Sequence, residues 1–178
     1  MNQELLASLR ILGHVARADS RLRSEERLAL EALAERDGGS ATEVLHDHTD
    51  LDTLLRAVTS PELRRRTLIE AVALANVDGR CSPEEMAVLE HIRDGLSVPD
   101  GVNLVADSAA WKRRSKKVRD ALESATTAYL HKVSAGAGKD LSMTDYERLV
   151  AELARAKDEI EEAFREVVDE VERHPTAR

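Results

Sequence analysis

Aromatic side chains are almost missing from this chain: Trp111, Tyr129, Tyr146 and Phe164 are the only four in 178 residues, and all lie beyond position 110. The first hundred residues must therefore pack on Leu, Val, Ile, Ala and Met, a set suited to closely packed helices because it costs little rotamer freedom there. A lone cysteine, Cys81, excludes an internal disulfide and favours a reducing compartment. No stretch approaches the roughly 20 apolar residues of a membrane span. The opening MNQELLASLRIL carries Glu4 early and no apolar run of signal-peptide length. A soluble, cytoplasmic protein with no direct membrane span is expected. Basic charge is also short, with 26 Lys and Arg against 34 Asp and Glu, a net charge of −8. That balance argues against nucleic acid as a partner, because such binding runs on neutralised phosphates.

What is present is a core-forming fraction, 42% hydrophobic residues beside 34% charged ones. Leu5, Leu6, Leu9, Leu12, Val15 and Ala16 recur at three- and four-residue steps and predict a helix to about position 18. A second helix starts near Arg23 and stops at Asp37-Gly38-Gly39. Residues 40–60 are less regular, with a short helix expected over 51–58. Ser60-Pro61-Glu62 reads as N-cap, first-turn proline and first-turn acid, opening a helix to about 77. Ser82-Pro83-Glu84-Glu85 repeats that signal for a fourth main helix ending near Asp94-Gly95.

Beyond residue 102 the pattern changes. Leu104, Trp111, Val118, Leu122, Ala125 and Tyr129 fit a heptad seam. After the break Ser134-Ala-Gly-Ala-Gly138, a second seam over 144–173 runs Tyr146, Val150, Leu153, Lys157, Ile160, Phe164, Val167, Val171. Two such helices predict an antiparallel hairpin at 102–174, following a helical domain at 1–98. A turn near 137 sets Lys112 near Glu162, Lys116 near Asp158 and Trp111 near Phe164. Six of the eight residues 112–119 are basic, and 158–172 hold eight acids and one base, so the basic run has a partner inside the chain. Narrow apolar seams leave open whether a second copy completes a four-helix bundle.

The most informative feature is an internal repeat. Residues 9–31, LRILGHVARADSRLRSEERLALE, align without gaps on 68–90, LIEAVALANVDGRCSPEEMAVLE, at an offset of 59. The alignment matches Leu9 to Leu68, Asp19 to Asp78, Arg21 to Arg80, Glu25 and Glu26 to Glu84 and Glu85, and Leu30 to Leu89. Duplicated helical hairpins tend to pack about a pseudo-twofold axis, which would bring their turns together.

An apolar helix ending in Ala-Asp or Val-Asp-Gly, a short turn, then Glu-Glu opening a second apolar helix resembles the TerB-like family, over about 5–96. That family includes tellurite-resistance TerB proteins and the N-terminal domain of a DnaJ-like co-chaperone. The second copy, Asp78-Gly79-Arg80-Cys81-Ser82-Pro83-Glu84-Glu85, follows the pattern; the first departs from it at Ser20, Arg23 and Ser24. The resemblance implies an all-α fold, an acidic face for a divalent cation (Ca²⁺ or Zn²⁺), a role in metal or chemical stress or as an interaction module, and no catalysis. Asp19, Glu26, Asp78 and Glu85 would then be the metal ligands, because Ca²⁺ takes 6–8 oxygens.

Helix chemistry offers a second account of the same residues. Ser82 and Glu85 form a capping box, and Glu25, Glu26 and Glu84 suit the positive end of a helix. An EF-hand is excluded, since counting from Asp19 or Asp78 puts Arg, not acid, at position 3 and Leu at position 12. His46-Asp47-His48 has spacing that splits its imidazoles between faces, and is expected as an exposed polar loop. Cys81 has no histidine base at motif spacing, and no Walker loop or Ser-His-Asp grouping is recognisable. The expectation is a non-enzymatic scaffold or interaction protein, its partner a protein or a second copy held through the C-terminal helices. The alternative is a structural oligomerisation or adaptor module whose acidic turns are only caps.

Overall fold

The computed structural model describes residues 2–78 and 80–98, a helix at 143–173, and isolated positions between them (102, 104, 116, 120, 123, 124 and 127). All secondary structure among the described residues is helical: α1 Gln3–Ala16, α2 Ser24–Arg36, α3 Ala41–His46, α4 Leu51–Ala57, α5 Pro61–Asn76, α6 Pro83–Leu96 and α7 Met143–Arg173. The start signals are made by the expected residues. Ser60 Oγ accepts from the Leu63 N–H at 3.4 Å and Ser82 Oγ from the Glu85 N–H at 3.1 Å, each followed by proline. Asp50 caps α4 through the Thr53 N–H at 3.1 Å.

The helix α3 was not anticipated. It has six residues and buries only Ala41 and Val44, too few to show a period. Its place depends on Gly13 of α1, where an added Cβ would stand 2.7 Å from Val44 Cγ1 and 3.0 Å from the Val44 carbonyl oxygen. His46 and His48 are exposed, and His46 Nδ1 lies 2.7 Å from the Thr42 carbonyl oxygen.

The core of the first hundred residues is aliphatic throughout, and α5 is its centre. Every residue from Thr67 to Asn76 is buried, so this helix has neighbours on all sides: α1, α2, α6 and α7. α1 meets α5 closely enough for Ser8 Oγ and Thr67 Oγ1 to hydrogen bond at 2.8 Å. These two residues stand 59 apart, the offset of the repeat. A charged quartet ties the end of α2 to α5. Arg36 Nη2 lies 2.8 Å from Asp37 Oδ2 and 2.9 Å from Glu70 Oε1; Arg66 reaches the same two acids at 2.5 and 2.9 Å. Burial pushes the Asp37 carboxyl up, but the guanidinium bonds prevail and hold it below its ordinary value.

α7 lies against α2 and α5. Among the described residues its buried side chains are Ala156, Ile160 and Phe164, with Val168 half-buried. Of the expected seam, Ile160 and Phe164 are among them, while Tyr146, Leu153, Val167 and Val171 lie outside the residues whose side chains are described. Val150 is 45% exposed, and Lys157 leaves the seam to pair with Glu35 at 2.6 Å. A seven-residue repeat describes a helix supercoiling with one partner, whereas this one crosses two helices of a compact core. The expected turn near 137, Trp111 and Lys112 lie outside the described residues; Lys116 pairs with Asp120 one turn along at 2.7 Å.

Replacing Gly13 with Ala should destabilise the chain by about 1–3 kcal/mol, since the new methyl overlaps backbone as well as side chain. A thermal melt followed by circular dichroism reads it. A midpoint equal to wild type would mean that α3 gives way freely.

Candidate acidic cleft between two helical turns

Each turn is built the same way from its residues. In the first, Asp19 Oδ1 accepts the Arg21 N–H at 2.8 Å and Glu26 Oε2 accepts the Arg23 N–H at 2.8 Å. In the second, Asp78 Oδ1 accepts the Arg80 N–H at 2.8 Å and Glu85 Oε2 accepts the Ser82 N–H at 2.6 Å. An aspartate at one helix end folds the turn, and a glutamate three residues into the next helix satisfies an N–H that the helix cannot use. Ser20 adopts φ +61°, a left-handed conformation unusual for a residue with a Cβ.

The turns differ at one pair of equivalent positions. Ser82 closes a reciprocal capping box with Glu85. Its counterpart Arg23 has no acceptor to cap with, and its guanidinium instead crosses to the other turn, where Nη1 lies 2.8 Å from Asp78 Oδ2. This bridge was invisible in the sequence, where Arg23 is only the residue that spoils the first copy of the motif.

Across the two turns the carboxyl of Glu26 hydrogen bonds that of Glu85. Both are nearly inaccessible, at 2% and 4% exposure. Burial first, then the charges of Glu85 and Asp78, push Glu26 up to about 8, against the pull of the Arg23 N–H. Near neutral pH Glu26 therefore keeps its proton and donates it to Glu85. Burial raises the Glu85 carboxyl as well. The Cys81 thiol is pushed up to about 12 by burial and by the charges of Glu85 and Asp78, which leaves it protonated and poorly nucleophilic.

Beside this pair opens a polar cleft of about 430 Å³, lined by both turns, with Asp19, Asp78 and Glu85 supplying acid and Arg21, Arg23 and Arg80 supplying base. Of the four residues expected as ligands, Glu26, Asp78 and Glu85 interact directly and Asp19 lines the same cleft, half-buried. Among the described residues no three acid, histidine or cysteine side chains converge in a finished metal cage. In this arrangement a proton and the Arg23 guanidinium stand where a cation's charge would. The oxygens suit a hard cation in kind, since Ca²⁺ takes carboxylate and carbonyl oxygen, but one would have to displace both.

Glu26 sets a pH dependence. Its folded pKa, about 8, lies above the ordinary 4.5, so the proton it keeps is one the unfolded chain gives up. The stabilisation is complete below about 4.5 and is lost as pH rises to about 8, with a slope of up to about 1.4 kcal/mol per pH unit. Wild-type melting midpoints should fall between pH 5 and 8. Glu26→Gln, which keeps an acceptor for Arg23 and a donor for Glu85, should flatten that fall; parallel curves for the two proteins would refute the shared proton.

No curated protein and no solved structure matches this chain. A family model described as tellurite resistance protein TerB matches residues 5–102, more than half of the chain and both acidic turns. The all-helical fold agrees with it, and the chain belongs to the TerB family.

Proposed function

We propose that this chain is a non-enzymatic, cytoplasmic scaffold or interaction protein of the TerB family, connected with metal or chemical stress, whose acidic turns take up a divalent cation. The observation that carries the cation reading is the Glu26–Glu85 pair, two buried carboxyls short of positive charge and neutralised by a retained proton. A divalent ion would replace that proton and draw on Asp78 and Asp19, each already oriented by its own turn. Oxygen donors favour Ca²⁺ over Zn²⁺, which prefers nitrogen and sulfur.

A second reading has its own support. The Ser82–Glu85 box, the Glu26 bond to the Arg23 N–H and the Arg23–Asp78 bridge satisfy these groups without any ion. On that reading the turns are caps and the protein is a structural adaptor.

A melt in EDTA beside one in millimolar Ca²⁺ separates the two, because an ion that binds only the folded chain raises the midpoint by mass action. The cation reading expects a higher midpoint with Ca²⁺, a calorimetric heat, and proton release that strengthens binding as pH rises toward 8. Asp19→Asn with Asp78→Asn should remove the heat and leave the circular dichroism unchanged. Equal midpoints and no heat with Ca²⁺ or Zn²⁺ would leave the adaptor.

A further inference from the structure

Arg23 precedes α2 where Ser82 precedes α6, and the two stand 59 apart, the offset of the repeat. Serine there caps its helix through Oγ. Arginine has no acceptor for that purpose, since a guanidinium only donates. Its backbone and its side chain serve different turns. The Arg23 N–H holds Glu26 Oε2 at 2.8 Å within the first turn, while Nη1 crosses the cleft to Asp78 Oδ2 at 2.8 Å. The arginine side chain is 30% exposed, and the carboxylate it meets only 3%.

The acids of the cleft do not depend on this guanidinium for their orientation. Asp78 Oδ1 accepts the Arg80 N–H, Glu85 Oε2 the Ser82 N–H, and Glu26 Oε2 the N–H of Arg23 itself. Partly exposed side chains change rotamer readily, so Arg23 can swing outward while its backbone and all three carboxyls stay in place. Arg21 and Arg80 also line the cleft, but both are exposed.

We propose that the Arg23 guanidinium is a tethered competitor of the divalent cation: it occupies the approach to Asp78 Oδ2, leaves when the ion binds, and raises the ion concentration at which the cleft fills. This rests on the cation reading above and assigns its regulation to the residue by which the first turn departs from the second. The tether gives the guanidinium a high effective concentration at Asp78, so it prevails when the ion is scarce. A divalent ion carries twice its charge and takes carboxylate oxygen directly, so it prevails when abundant.

The probe is Ca²⁺ itself, titrated calorimetrically at one pH into the full chain and into its Arg23→Gln and Arg21→Gln variants. Arg23→Gln should bind Ca²⁺ about tenfold or more tightly than wild type, the scale of one hydrogen bond to a charged group that the ion no longer has to break. Arg21→Gln removes the same charge from the same cleft without freeing Asp78. It should stay within about threefold of wild type, because an exposed charge is screened. Melting closes the same cycle. In EDTA Arg23→Gln should melt below wild type, having lost the bridge to Asp78, and saturating Ca²⁺ should bring the two midpoints together. Equal affinity in wild type and Arg23→Gln, equal gains in the two variants, or a midpoint gap that persists in saturating Ca²⁺ overturns the competition and leaves the cation reading standing. Heat in Arg23→Gln alone upholds the competition and overturns cation uptake by the wild type. No heat in any of the three proteins ends both.

Discussion

The contact on which the rest is built is the one between Ser8 and Thr67. Both hydroxyls are buried, and Thr67 Oγ1 already donates to the Leu63 carbonyl at 2.6 Å. Ser8 must then be the donor across the 2.8 Å between α1 and α5. Two small polar residues allow the helices to approach more closely than Leu against Leu would, and each leaves the other satisfied in a core that offers water no access. The two residues stand 59 apart, the offset that relates 9–31 to 68–90, one position before those aligned segments. The turns that follow the two helices emerge side by side, and a second pair at that offset, Glu26 and Glu85, meets across them.

Where residues at the 59-residue offset meet, like faces like, and this has a consequence for charge. For hydroxyls this is harmless, since each can donate and accept. For carboxylates it is costly, and the pair accommodates it by sharing a proton. Arg23 relieves what the proton does not. It stands where the other turn has Ser82 and forgoes capping α2, and its guanidinium reaches Asp78, which is only 6% exposed. The asymmetry leaves Asp19, half-buried at the edge of the cleft, without that cross-turn bridge. The cleft is balanced near neutrality by groups that can leave, one proton and one flexible cation, while its carboxylates are anchored to backbone.

Much of this was legible in the sequence because it is local. Caps, first-turn prolines and helix ends are determined by residues within a turn of each other, so α1, α2, α5 and α6 fall where the apolar spacing, Ser60, Ser82 and Gly38 point. The turns were legible for the same reason, and the repeat supplied their pairing. What stayed hidden depends on residues far apart in the chain. α3 is held by Gly13, thirty-one residues from Val44. The bridge from Arg23 to Asp78 joins positions that the alignment does not pair. The quartet of Arg36, Asp37, Arg66 and Glu70 likewise joins the end of α2 to α5 across about thirty residues. The face of α7 was misassigned over Val150 and Lys157 because a heptad pattern assumes the partner is another long helix. Its partners are α2 and α5, which leaves Val150 exposed and Lys157 paired with Glu35.

The helix α2 joins these observations. Its first turn carries Glu26 to the shared proton, and one to two turns further on Ala29 and Leu33 form the wall that Phe164 faces. At thirteen residues it is about 20 Å long, with its last turn pinned to α5 through Arg36 and Glu70. The acidic cleft and the α7 face are thus joined through one short helix.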